Sequence, residues 1–312
     1  MASHYVILCP GQGAQVVGMG KDLAARSAAA RAVFEDADRV LGFKLSEICF
    51  AGPEDRLNKT DISQPAIYVT SVASFAAAVE CGGIDPAKVA VYAGLSLGEY
   101  TALHLAGSFG FETGLKLVAA RGKYMQEAAV ATPSGMVAIM GADESAVQAL
   151  CRDAAGDQVL APANFNAPGQ IVVSGAIEAC QRVLAAAEAG GYKATALKVA
   201  GAFHSQLMAP AAQKMQQELD AAMISSPRVP VYANVSAHPH GDANAIRQLL
   251  VEQIIAPVQW ERTMRQLMED AAAQFVELAP GRTLAGLAKR INRRLPVETV
   301  DSLCWERVKS EE

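Results

Sequence analysis

This 312-residue sequence is short of the features that mark specialised chemistry or surfaces. Its six cysteines, Cys9, Cys49, Cys81, Cys151, Cys180 and Cys304, show no CxxC spacing. That removes the usual zinc and dithiol signatures, and core thiols of a reducing compartment are expected. No basic run exceeds a pair or two, and the net charge is −5, which argues against a nucleic-acid binder. No apolar run reaches the roughly 18 residues of a bilayer span. Residues 1–10 lack a basic n-region and read as a buried strand, not a secretory leader. There is no internal repeat or low-complexity tract, and only residues 310–312 look disordered. What remains is core material: 51% hydrophobic residues against 19% charged ones. That suits one large α/β domain with room for a smaller insertion, in a cytoplasmic protein.

The patterning fits alternating strands and helices. Residues 5–9 read as a strand ending in Pro10-Gly11-Gln12-Gly13. Residues 21–41 read as one helix, and Pro65 suits the first turn of another that continues over 66–81. Strand 89–93 is followed by helix 99–105, then by helix 114–129. Between 134 and 200 the order becomes β-α-β-β-α-β: strand 136–140, helix 143–153 capped by Asp143, strand 159–163, turn 166–169, strand 171–174, helix 176–189 and strand 192–199. This is the split-βαβ pattern of a ferredoxin-like unit. Helix 206–222, strand 229–234, helices 246–254 and 264–271, strand 274–278 and helix 284–293 complete the main domain.

Gly94-Leu95-Ser96-Leu97-Gly98 makes the strongest chemical statement. A strand, Gly-x-Ser-x-Gly and a helix form a nucleophile elbow: the glycines permit a sharp turn, and the helix N-terminus sets free N–H groups beside the serine. A serine nucleophile needs a base. His204 follows Gly201-Ala202-Phe203 at the end of a predicted strand, where sheet-edge loops gather sites. His4 is terminal, His104 suits a helix surface or the core, and His238 and His240 fall in a loop fit at most for an adventitious metal. Arg121 stands on an otherwise apolar helix face, either as a surface salt-bridge residue or as a guanidinium fork for a carboxylate. Gly11-Gln12-Gly13 suits a plain turn or the close approach of a backbone N–H to a ligand.

Several segments match one family together. Gly11-Gln12-Gly13-Ala14-Gln15, Gln64-Pro65-Ala66, Gly94 through Tyr100, Arg121 through Gln126, Asn164 through Gln170, Gly201 through Ser205, Pro257-Val258-Gln259-Trp260 and Pro280 through Leu284 occur in family order. The chain resembles the malonyl-CoA:acyl-carrier-protein transacylases of type II fatty acid synthesis, from about Tyr5 to Arg294.

The resemblance implies an α/β-hydrolase-like core, residues 1–130 and 201–312, with an inserted ferredoxin-like (βαββαβ) subdomain at 131–200. It implies Ser96 as nucleophile and His204 as base, oriented by a backbone carbonyl or the amide of Gln253. Backbone N–H groups of Gln12 and Leu97 would form the oxyanion hole, and Arg121 would grip the malonyl carboxylate. Gln64, Asn164 and Phe203 would line the substrate site, Phe203 filling the space an α-methyl group needs. The partners would be malonyl-CoA and holo acyl carrier protein, with no cofactor, no metal, no nucleic acid and no membrane. The chain would be a monomer. An acidic carrier would meet basic side chains such as Lys193, Lys198, Lys289, Arg290, Arg293 and Arg294. One departure is Leu95, where the family commonly has histidine, and another is Ala279-Pro280-Gly281 in place of Gly-Pro-Gly. The rivals are a polyketide acyltransferase, an acyl hydrolase on the same scaffold, or a degenerate member that only binds carrier protein.

Overall fold

The computed structural model describes residues 4–270 and 272–306. Among them run nine strands: β1 His4–Cys9, β2 Val89–Gly94, β3 Ser134–Met140, β4 Leu160–Ala167, β5 Gln170–Ala176, β6 Lys193–Ala196, β7 Val231–Tyr232, β8 Ala273–Glu277 and β9 Val297–Thr299. Two sheets result. The larger is parallel, in the order β7-β2-β1-β8-β9. The smaller is antiparallel, in the order β4-β5-β3-β6, with helices Glu144–Ala155 and Ile177–Ala189 packed on it. That order is the one a βαββαβ unit produces. The architecture is an α/β core with a second, antiparallel subdomain.

Burial explains the parallel sheet. Ile7, Leu8 and Cys9 of β1 are wholly buried, as a central strand covered on both faces requires. Helices Thr60–Glu80 and Phe111–Ala131 pack on each other at its side. By length and composition Thr60–Glu80 qualifies as a bilayer span, yet 78% of its most apolar window is buried in the fold, so it serves as a core helix. The smaller sheet has its own core of Val137, Ile139, Val147, Val173 and Val183.

Register positions the site. Cys9 pairs with Gly94, so β1 and β2 end level and their following loops leave the sheet side by side. Loops at the carboxyl edge of a parallel sheet are where such folds bind ligands. The loops touch: a Cβ on Gly98 would collide with the carbonyl of Cys9, and one on Gly11 with that of Leu95.

Several expected boundaries shift. The helix expected over 21–41 breaks into Lys21–Arg26 and Ala28–Leu41, because extended Ser27 caps the second piece, its Oγ accepting from Ala30 N at 2.9 Å. Pro65 lies inside its helix instead of in the first turn: the helix begins at Thr60, whose N–H donates to Gln126 Oε1 from a neighbouring helix at 3.1 Å. β4 runs on through Asn164 and Asn166 to Ala167, and the turn tightens to Pro168-Gly169. β6 and β7 are shorter than the apolar runs 192–199 and 229–234. Helices Leu45–Ala51 and Glu54–Leu57 and strand β9 carried no strong pattern. The helix expected over 264–271 lies earlier, at Trp260–Leu267, while position 271 and the tail 310–312 lie outside the described residues.

The cysteines need one correction. Cys9, Cys49, Cys151 and Cys180 are buried free thiols, but Cys81 and Cys304 form a disulfide with Cα atoms 5.8 Å apart. It joins the end of helix Thr60–Glu80 to the Ser302–Glu306 turn, across 223 residues of sequence. Spacing along the chain gave no sign of it because folding alone brings those ends together.

Candidate active site

Ser96 stands on the turn between β2 and the helix Gly98–Leu105, with a left-handed φ of 52°. A serine there is strained and persists only where its surroundings over-determine it. Here they do. Ser96 N donates to Asn234 Oδ1 at 2.6 Å, and Ser96 O accepts from Gln253 Nε2 at 3.0 Å. The hydroxyl is 8% exposed as a residue and faces His204 Nε2 at 2.8 Å.

His204 has a left-handed φ as well, 57°, and is 5% exposed. Its Nδ1 lies 2.7 Å from the backbone carbonyl of Gln253. A carbonyl only accepts, so Nδ1 carries the ring proton and Nε2 is left to accept from the Ser96 hydroxyl. Burial, and then the nearby Arg121 charge, pull the imidazole down to about 4, so it is neutral at ordinary pH. Of the two orienting groups expected, the carbonyl of Gln253 makes the contact and the amide is used elsewhere.

Arg121 is 1% exposed, not a surface residue. Gly122 lets its helix lie close to Thr60, where a Cβ would meet the Thr60 carbonyl at 2.6 Å. The guanidinium donates from Nη1 to Gln64 Oε1 at 2.8 Å, and from Nη2 to Gln253 Oε1 at 2.9 Å and to Ser96 Oγ at 3.1 Å. Its Nε finds no hydrogen-bond partner among the described residues. Burial lowers the pKa of the guanidinium, opposed by Tyr100 and Glu99. Every acceptor it uses is neutral, an expensive arrangement for a buried cation and one suited to an incoming anion.

Three more residues belong to this network, and the sequence reading gave none of them this role. Glu99 is wholly buried; its Oε2 accepts from Gln253 Nε2 at 2.7 Å and from Asn234 N at 3.0 Å. Its Oε1 meets His240 Nε2 at 2.7 Å. Asn234 Nδ2 also donates to Gly94 O at 2.7 Å, tying β2 to the loop after β7. These partners lie 135 to 154 positions apart along the chain, and no local pattern reports such pairs. His240 therefore serves a carboxylate and not a metal.

The remaining expected residues surround this cluster. Leu97 opens the helix after Ser96, and Gln12 lies on the adjoining loop; among the described residues neither backbone N–H is hydrogen-bonded within the protein. Phe203 is buried in the main core beside His204. Asn164 sits where β4 bridges to Val258, with Phe165 N on Val258 O at 2.9 Å, and no side-chain bond joins it to the Ser96 cluster among the described residues. Leu95 packs against the apolar cluster that includes Leu8, Ala93, Ala167 and Val258. His104 is held by Phe109 O at 3.0 Å and lies against Tyr68, away from Ser96.

A hydroxyl poised to give its proton to a neutral imidazole attacks acyl carbonyls, and with this fold it defines a serine acyl-transfer enzyme. The acyl transferase domain model matches residues 6–304, and the chain belongs to that family. It is 41% identical over 290 residues to the malonyl CoA-acyl carrier protein transacylase of Salmonella typhimurium, covering 93% of each chain. The structure of the transacylase of that name from Coxiella burnetii superposes with a TM-score of 0.94 at 38% identity, over 99% of this chain and 98% of the other. A malonyl-transacylase in complex with its type II PKS acyl-carrier protein gives a TM-score of 0.91 at 38% identity, over 97% and 100%.

Proposed function

We propose that this protein moves a malonyl group from malonyl-CoA to the phosphopantetheine thiol of acyl carrier protein, through a malonyl ester on Ser96, and so supplies fatty acid synthesis. The observation that carries the substrate assignment is Arg121: a buried guanidinium beside the nucleophile with only neutral acceptors. A malonyl carboxylate fits that site, and an acetyl group leaves it unmatched.

The chemistry follows from the geometry. Ser96 Oγ attacks the thioester carbonyl while its proton passes to His204 Nε2. The backbone N–H groups of Gln12 and Leu97 receive the oxyanion, and the Gln253 carbonyl stabilises the imidazolium through Nδ1–H. Collapse breaks the C–S bond, and His204 returns the proton to the CoA sulfur. The carrier thiol then gives its proton to His204 and attacks the seryl ester, and Ser96 leaves with that proton. Arg121 lies deeper than Ser96, so the carboxylate points inward and the thioester outward. Gln64 holds the guanidinium from behind, Asn164 and Phe203 line the acyl site, and Phe203 disfavours an α-methyl group.

Lys193, Lys198, Lys289, Arg290, Arg293 and Arg294 are exposed and available to an acidic carrier. The enzyme acts as a cytoplasmic monomer without metal or cofactor. The test is transfer itself: purified protein, malonyl-CoA and holo carrier protein should give malonyl-carrier protein and free CoA in equal amounts. CoA release without malonyl-carrier would instead mark a hydrolase.

A further inference from the structure

The strained serine and its histidine are held from behind by a carboxylate that touches neither the Ser96 hydroxyl nor the His204 ring. Glu99 lies three residues past Ser96, wholly buried, and accepts from three donors: Gln253 Nε2, Asn234 N and His240 Nε2. Two of those partners hold the nucleophile's main chain, Asn234 through Ser96 N and Gln253 through Ser96 O. The backbone carbonyl of Gln253 also fixes His204. One carboxylate thus joins the elbow helix, the loop after β7 and the end of helix Ala243–Glu252.

His240 completes the join. Its backbone N–H donates to Val231 O at 2.8 Å, and Ala237 supports the loop with a left-handed φ of 57°. The ring is 0% exposed on its side chain. Its Nδ1 has no partner among the described residues, so Glu99 is the hydrogen-bonding contact that accounts for its burial. A buried histidine with one satisfied nitrogen is retained at some cost to stability, which argues for a role beyond packing.

We propose that Glu99 and His240 are positioning residues for acyl transfer: Glu99 sets the Ser96–His204 geometry through Gln253 and Asn234, and His240 fixes the rotamer of Glu99. The inference rests on the acyl-transfer reading of Ser96 and His204. The required property of Glu99 is its hydrogen-bond acceptance. Glutamine at 99 can keep an oxygen toward Gln253 and Asn234 and turn its amide to His240, whose Nε2 then accepts. Leucine at 99 cannot.

The test is single-turnover malonyl loading of Ser96, with the rate constant and the half-saturating malonyl-CoA concentration measured separately. Wild type must load; if it does not, the acyl-transfer reading itself fails. Among variants with native circular dichroism, Glu99→Leu should lose about 10- to 100-fold in rate, the scale of a small misplacement of reacting groups. Its half-saturating concentration should change less than its rate, within about threefold, because Arg121 keeps its bonds to Gln64 and Ser96 even where Gln253 shifts, and Glu99→Gln should recover most of the rate. His240→Leu should be slowed and His240→Gln, which keeps a donor, should not. If Glu99→Leu does not fold, the His240 pair decides. Equal rates within the His240 pair, Glu99→Gln as slow as Glu99→Leu, or a loss appearing only in half-saturation would each overturn the proposal.

Discussion

At Ser96, His204 and Arg121 the side chains are ordinary and their surroundings are not. Burial and the Arg121 charge hold His204 near 4, well below its usual 6.5, so its ring is neutral and able to accept a proton at any pH well above that value. The kcat/KM for malonyl loading should stay flat from neutral pH downward and fall only as pH approaches about 4. An acid limb centred near the ordinary histidine value would contradict this. The same shift bears on stability: neutral His204 favours the fold above 6.5, and that contribution is lost as pH falls from 6.5 through about 4. His204→Ala should cut transfer roughly 10²- to 10⁴-fold, the usual worth of general acid–base help. His104→Ala should do far less, since His104 bonds Phe109 O and packs on Tyr68. Arg121→Ala should lower malonyl kcat/KM by at least ~2 kcal/mol while acetyl transfer falls much less. An unchanged malonyl-to-acetyl ratio in steady-state kinetics would remove Arg121 from acyl selection. Ser96, His204 and Arg121 were visible in the sequence because each sits in a short motif. Glu99 shares the Ser96 motif, yet its role was not legible there, nor were those of Asn234 and His240, because what matters about them is a partner more than a hundred positions away.

Between elements, the elbow works because β1 and β2 end level and glycines let their loops touch. Gly98→Ala places a methyl against the Cys9 carbonyl, a backbone atom that cannot turn aside. We expect a loss of about 1–3 kcal/mol in denaturant unfolding, the usual cost of overpacking, together with slower loading as the elbow shifts. A fully stable, fully active Gly98→Ala would show that the two loops have slack. At the far side of β1, Glu277 ends β8 and accepts from Leu284 N at 2.9 Å and Ala285 N at 2.8 Å, fastening the helix Thr283–Ile291. Burial pushes this carboxyl up to about 7 from 4.5, against the pull of those N–H groups. Its contribution is therefore full below 4.5 and lost as pH rises through about 7. Glu277→Gln should cost more stability at about pH 5 than at about pH 8 by chemical denaturation, and the reverse order would refute the shift. The strand–elbow–helix unit was legible because its glycines and β-rich run are local signals. The break at Ser27 and the early start at Thr60 were not, since one depends on a cap winning over a continuous apolar face and the other on a donor satisfied by Gln126.

On the scale of the whole molecule, the larger sheet carries the turn that holds Ser96, and the smaller one meets the main domain where β4 bridges to Val258. The alternation of strands and helices foretold both sheets, and the β-α-β-β-α-β run foretold the order of the smaller. The Cys81–Cys304 bond lay beyond that reading, because it depends on where the last described turn folds back. The central claim is that this scaffold carries a malonyl group on Ser96 between two thiols. The most direct measurement is the intact mass of the protein, taken after malonyl-CoA and again after holo carrier protein is added, for wild type and Ser96→Ala. The account predicts one malonyl adduct on wild type, its transfer to the carrier, and none on the variant. An adduct on Ser96→Ala at the wild-type level, or a wild-type adduct that water removes as fast as the carrier does, would contradict it.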